Sequence, residues 1–137
     1  MITVRGYECA RVGVLGLGRS GLAAARSLAS GGAIPICWDD GEAARNAAAA
    51  EGFAIEDLTK DKAWADTILL VVSPGVPHLF PKSHPAITAA RRAGALVDND
   101  VSLFFRSLAM TDAEVKVICI TGSNGKSTTT ALIDHVL

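Results

Sequence analysis

Residues 12–15, VGVL, run without a spacer into GLGRSG at 16–21. A short aliphatic, β-branched run of this kind reads as a buried strand. Behind the loop, residues 20–30 place Leu22, Ala25, Leu28 and Ala29 at helical spacing, and Gly31-Gly32 ends the helix. A strand that turns on glycines straight into a helix leaves few topologies open. The helix crosses one face of a sheet and the next strand lies parallel to the first. In this G-x-G-x-x-G pattern Gly16 permits the tight turn, Gly18 lets a diphosphate approach the backbone, and Gly21 lets the helix pack close to its strand. The N–H groups of Arg19 and Ser20, at the positive end of the helix dipole, suit a diphosphate.

The alternation continues along the chain. Strands are expected at 34–38, 67–72, 95–97 and 115–120, and helices at 42–51, 85–93 and 100–108, the last capped by Asp100. A final helix carries Leu132, Ile133 and Val136. This predicts an α/β fold, a Rossmann-like parallel sheet with helices on both faces. Ligands of such folds bind at the carboxyl ends of the strands. Three loops follow strand ends here: GLGRSG, WDDG at 38–41 and SPGV at 73–76. They are expected to converge on one crevice. Asp39, 23 residues after Gly16 at the end of the second strand, stands where a carboxylate meets a ribose or a base.

Composition narrows the partners. The 137 residues carry a formal net charge of -1, which argues against a nucleic-acid groove or an anionic membrane surface. Cys9, Cys37 and Cys119 form no metal-binding spacing, and an odd count in so apolar a chain points to a reducing compartment. The start has no basic segment followed by an apolar stretch, and the longest aliphatic run, 68–72, is too short to span a bilayer. A cytoplasmic location is expected.

A second glycine loop, TGSNGKST at 121–128, follows an expected strand and opens a helix. Its backbone N–H groups can form a nest for phosphates. Lys126 would reach the β- and γ-phosphates of ATP, and the Ser127 hydroxyl would ligate Mg2+. Ile120 stands where the usual pattern begins with glycine, so the loop is a shortened form starting at Gly122. The ATP-binding candidates are Gly122, Ser123, Asn124, Gly125, Lys126, Ser127 and Thr128. The first loop by itself also fits a nicotinamide-dependent oxidoreductase domain or a non-catalytic nucleotide-binding module. His78 and His84 both adjoin prolines and read as turn residues rather than as catalysts beside a nicotinamide.

Taken together, the two loops resemble those of the Mur ligases of peptidoglycan synthesis. GLGRSGLA, the acidic end of ICWDD, the SPGV turn, HPAITAARRAGA, DVSLF and TGSNGKST match that family in order and spacing, over nearly the whole chain. The match is nearest to the branch that adds D-glutamate. The alanine-adding branch usually carries His where Asn124 stands, and the related folylpolyglutamate synthase lacks the first glycine loop. The resemblance implies that Gly18, Arg19, Ser20 and Gly21 hold a uridine diphosphate. It implies that Asp39 and Asp40 face the uracil, and that Ser73, Pro74 and Gly75 line the same crevice. Asp40 and Gly41 depart from the family's frequent Thr-Arg after this Asp. The substrates implied are UDP-N-acetylmuramoyl-L-alanine and D-glutamate, joined at the expense of ATP with Mg2+, and Lys126 is the catalytic candidate. Residues 1–112 are expected to form the UDP-substrate domain. Residues 113–137 are expected to be the first strand, loop and helix of a truncated ATP-binding domain, inactive alone.

Overall fold

The computed structural model describes residues 2–78, 82–111 and 114–137. Five strands, β1 (Arg11–Leu15), β2 (Ile34–Trp38), β3 (Ala54–Ile55), β4 (Thr67–Val72) and β5 (Leu96–Asn99), pair in the order β3-β2-β1-β4-β5. Every pairing is parallel. Side chains alternate across the sheet, as the twofold period of a strand requires. Val12 and Val14 of β1, Cys37 of β2, and Leu69 and Val71 of β4 enter one core; Leu15, Ile36, Leu70 and Val72 enter the other. Because β1 and β4 are covered on both faces, they read as near-continuous apolar runs.

Helix α1 (Arg19–Ser30) and helix α2 (Glu42–Ala50) cover the first face, with Ala24, Ala25, Leu28 and Ala48 buried. The opposite face is covered by a 3₁₀ helix, Asp61–Trp64, and by α3 (Pro85–Arg92), which buries Ala86, Ile87, Ala89 and Ala90. Gly13 makes room there: a Cβ would lie 3.1 Å from Leu70 Cδ1 and 3.4 Å from Trp64 Cη2. Trp64 uses that space and donates its indole N–H to the Leu58 carbonyl at 2.9 Å, so its burial leaves no orphan donor. Each fully buried Leu or Ile of these layers contributes about 1.5–3 kcal/mol.

Helix α4 (Asp100–Ala109) returns to the first face, where Leu103 joins the core and the buried Ser107 hydroxyl donates to the Thr3 carbonyl at 2.9 Å. Its cap is Asn99, whose side chain accepts from Ser102 N at 2.9 Å. Asp100, expected as the cap, is instead the first helical residue, where its negative charge still favours the helix start.

Helix α5 (Lys126–Val136) follows the second glycine loop as expected. Residues 115–120 do not form the expected strand. They pair with no strand among the described residues, and Val115, Val117 and Ile118 are exposed. β-propensity describes fit to a pleated, half-buried surface, and a strand exists only through a ladder partner. Among the described residues, no helix is long and apolar enough to cross a membrane.

Candidate nucleotide site

The strand order reverses between β1 and β4, since β1 is followed in sequence by β2 on one side and neighbours β4 on the other. Such a switch point opens a crevice beyond the carboxyl ends of the strands. A cavity of about 590 Å³ lies there, lined by Gly16, Gly18, Arg19, Ser20, Asp39, Asp40, Ser73, Pro74, Gly75, Val76, Pro77 and His84, with Leu15 at its base. The loops after β1, β2 and β4 therefore converge as their sequence positions imply. Of the residues singled out for a uridine diphosphate, all but Gly21 line the cavity.

Gly21 works from behind the wall. A Cβ at this position would lie 1.8 Å from the Gly16 carbonyl oxygen and 2.8 Å from Ser73 Oγ. Glycine thus lets the first turn of α1 sit directly on the β1 turn. Gly16 itself has a φ of 85°, in the left-handed region that favours glycine. Its carbonyl accepts from the Ser73 hydroxyl at 2.7 Å, while Ser73 N donates to the Leu15 carbonyl at 2.9 Å. The end of β4 is therefore fastened to the glycine loop, and the Ser73 hydroxyl proton is already committed.

The amino end of α1 opens on the cavity. Gly18 caps it with no side-chain hydrogen bond, and its first turn holds no acidic residue. That leaves N–H groups of the first turn for a ligand, beside the exposed Arg19 guanidinium. An anion with several oxygens suits this corner.

Asp39 has a different local role from the one its position suggests. One carboxylate oxygen accepts from Leu17 N at 2.7 Å and the other from Gly41 N at 2.8 Å. Asp39 therefore ties the glycine loop to the turn that opens α2. Arg45 reinforces that turn, donating to the carbonyls of Asp39 and Asp40 at 2.7 and 2.8 Å while stacking 4.8 Å from the Trp38 ring.

His84 is more than a turn residue. Its Nδ1 accepts from Ala86 N at 3.1 Å, which caps α3, and its Nε2 lies 3.2 Å from both carboxylate oxygens of Asp40. The available signal was His-Pro at the first turn of a helix, a position that favours a side-chain acceptor. The partner 44 residues away was not readable.

The second loop is a separate, exposed feature. Gly122 and Gly125 both have positive φ, 149° and 79°, and Gly125 caps α5 without a side-chain bond. The Lys126 ammonium donates to the carbonyls of Gly122 and, at 3.5 Å, Ser123. Lys126 and Ser127 occupy the first turn of α5, with Thr128 next; Asn124 lies in the loop, exposed. Glycines at positive φ, a helix start with no acidic residue in its first turn and a lysine beside the loop are features that suit the phosphates of a nucleotide.

No protein-family model matches the chain. The chain is 57% identical over its whole length to the UDP-N-acetylmuramoylalanine--D-glutamate ligase of Cereibacter sphaeroides, of which it covers 30%. It is 56% identical to the enzyme of that name from Ruegeria pomeroyi, again covering 30%, and 54% identical to that of Dinoroseobacter shibae, covering 31%. Among solved structures, shikimate dehydrogenase from Aquifex aeolicus superposes with a TM-score of 0.55 over 80% of this chain and 51% of that one. At 14% identity that likeness establishes the Rossmann-like fold alone. The chain spans about a third of the length of the curated relatives it matches, and along its entire length it is homologous to that part of the UDP-N-acetylmuramoylalanine--D-glutamate ligases.

Proposed function

We propose that this chain supplies the UDP-substrate site and the first phosphate loop of an ATP-dependent ligase that joins D-glutamate to UDP-N-acetylmuramoyl-L-alanine. The observation that carries the reading is the switch-point cavity, lined both by the start of α1 with Arg19 and by Asp39 and Asp40. The cationic end suits a diphosphate and the acidic end suits the donors of a base or ribose. In this reading residues 1–112 bind the nucleotide substrate, and residues 113–137 open the ATP-binding part. The setting is the cytoplasm, with no nucleic-acid or membrane partner.

The reaction has two steps. The L-alanine carboxylate takes the γ-phosphoryl group of ATP and becomes an acyl phosphate. The D-glutamate amine then attacks the carbonyl carbon, forming the amide and releasing phosphate. Lys126 would neutralise charge on the transferred group, the N–H groups of the 122–128 loop would hold the neighbouring phosphates, and Ser127 would ligate Mg2+. These contributions act through position and charge, since neither Lys126 nor Ser127 forms a bond to the substrate.

Calorimetry of this chain with UDP and with NADH tests the reading. UDP is expected to bind and NADH to bind more weakly or not at all. Tighter binding of NADH would refute it, and would favour a dinucleotide module on the same fold.

A further inference from the structure

Asp40 is tied in an unusual way for so exposed a side chain. Its carboxylate is 75% exposed, whereas the His84 side chain facing it is 11% exposed. A solvated carboxylate ordinarily samples several rotamers and gains little from one ion pair. Here the donor is already fixed. Ala86 N donates to Nδ1 of His84, so in the neutral ring the proton sits on Nε2, directed at Asp40. The His84 backbone is held too, its N–H donating to the Pro77 carbonyl at 3.1 Å. On the Asp40 side, Arg45 grips the carbonyls of Asp39 and Asp40. Both ends of the bridge are thus anchored to different elements, the β2–α2 turn and the start of α3, and both residues line the cavity.

The two neighbouring carboxylates divide the work. Asp39 spends one lone pair of each oxygen on loop N–H groups. Asp40 accepts only from His84 among the described residues, through a hydrogen placed between its two oxygens. Asp40 lines the cavity and is 75% exposed, so its remaining lone pairs are free to accept from an imide N–H of a planar base.

We propose that His84 is a positioning residue for this site. It holds the Asp40 carboxylate across the rim so that Asp40, rather than Asp39, accepts from the base of a uridine nucleotide. The proposal rests on the UDP reading and adds to it a residue that contacts the ligand only through Asp40.

A double-mutant cycle tests it, with UDP affinity measured by calorimetry. His84→Asn keeps an acceptor for Ala86 N, so α3 stays capped, but the shorter side chain cannot reach Asp40. Asp40→Ala removes the carboxylate from an exposed position. Each single variant is expected to bind UDP about tenfold more weakly, the scale of one hydrogen bond to a charged group. The double variant should bind as weakly as Asp40→Ala alone, because His84 has then nothing to position. Losses that multiply in the double variant would overturn the proposal. A fall in the melting temperature of His84→Asn large enough to account for its weaker binding would also overturn it. Imidazole nitrogen NMR on the free protein reads the bridge without ligand. An Nε2–H tautomer whose signal shifts in Asp40→Ala supports it, and a signal indifferent to Asp40 refutes it. If the bridge is present and UDP does not bind the unaltered chain, the UDP reading fails and the role of His84 in that site fails with it.

Discussion

Replacing Gly21 by alanine puts the geometry of the glycine loop to a direct test. The added Cβ would stand 1.8 Å from the Gly16 carbonyl oxygen, where real Cβ contacts essentially never fall below 3.0 Å. The nearest atom is backbone, so no side-chain rotation relieves the clash, and α1 must retreat from β1 by more than an ångström. Overpacking of this kind costs about 1–3 kcal/mol. The added Cβ would also stand 2.8 Å from Ser73 Oγ and displace that hydroxyl from the Gly16 carbonyl, and a net hydrogen bond of this kind contributes about 1 kcal/mol. Together they predict a loss of about 2–4 kcal/mol, a large share of the roughly 5–15 kcal/mol that holds a domain together. For a chain of this size that lowers the melting temperature by about 6–16 °C. Gly18→Ala is the control. Nothing lies within 4 Å of its Cβ, and φ is an ordinary -70°. It should melt within about 2 °C of the unaltered chain, as surface substitutions do, and bind UDP more weakly, since its methyl projects from the cavity wall. Thermal denaturation followed by circular dichroism reads both. A Gly21→Ala chain that melts with the unaltered protein would show that α1 does not sit on the β1 turn as described.

The remaining expectations are shorter to state. Asp39→Ala strips the acceptor from Leu17 N and Gly41 N, so it should lower stability by about 1–3 kcal/mol as well as ligand affinity; an unchanged denaturant midpoint would refute the structural role. Burial pushes the Cys37 thiol up to about 12, while Cys9 and Cys119 are exposed. Alkylation at neutral pH should therefore label the latter two and spare Cys37 until the chain unfolds, which mass spectrometry of the labelled peptides would show. Because that folded value is raised, the contribution of Cys37 to stability is complete below the usual thiol value and declines as pH rises from about 9 towards 12. Glu51 titrates below its ordinary value because the Arg26 side chain hydrogen-bonds it, so the α1–α2 tie it forms persists above about pH 4.5 and is lost as pH falls through the lowered value. In a full-length ligase carrying this sequence, Lys126→Ala should abolish ATP-dependent product formation and leave binding of the UDP substrate unchanged; retention of more than a few per cent of turnover would refute the phosphate-loop assignment.

How far the sequence led depended on the range of the forces involved. β1, α1, β2 and β4 were legible because aliphatic runs and glycine stops are local signals, and the positions of Gly18, Asp39 and Ser73 at strand ends followed from them. The two-residue β3 and the Asp61–Trp64 3₁₀ helix were missed, being too short to show a period. Residues 115–120 mislead in the other direction: VKVICI has the composition of a strand, but a ladder needs a neighbour that composition does not supply. Within the site, the convergence of the GLGRSG, WDDG and SPGV loops on one cavity is legible from their places at strand ends, while what their side chains bond is not. Asp39 was placed at the cavity by its spacing, yet its ties to Leu17 and Gly41 depend on how the β1 and β2 loops meet. The role of His84 is hidden for the same reason, since its partner lies on another element.

The parallel pairing of β1 with β4 also governs when the site comes into being. Arg11 lies opposite Thr67, so this pairing closes a loop of about fifty-five residues. Closing such a loop costs about 3–4 kcal/mol of chain entropy beyond a constant term, before any contact compensates it. A chain in which only β1, α1 and β2 have come together holds the glycine turn and Asp39 but lacks Ser73, Pro74, Gly75 and His84, which arrive with β4 and α3. Such an intermediate has half a wall and no pocket. On the proposed reading, a nucleotide that needs both halves of the wall would bind only the finished sheet and slow its unfolding, making ligand protection a report on the long-range closure rather than on the local βα unit.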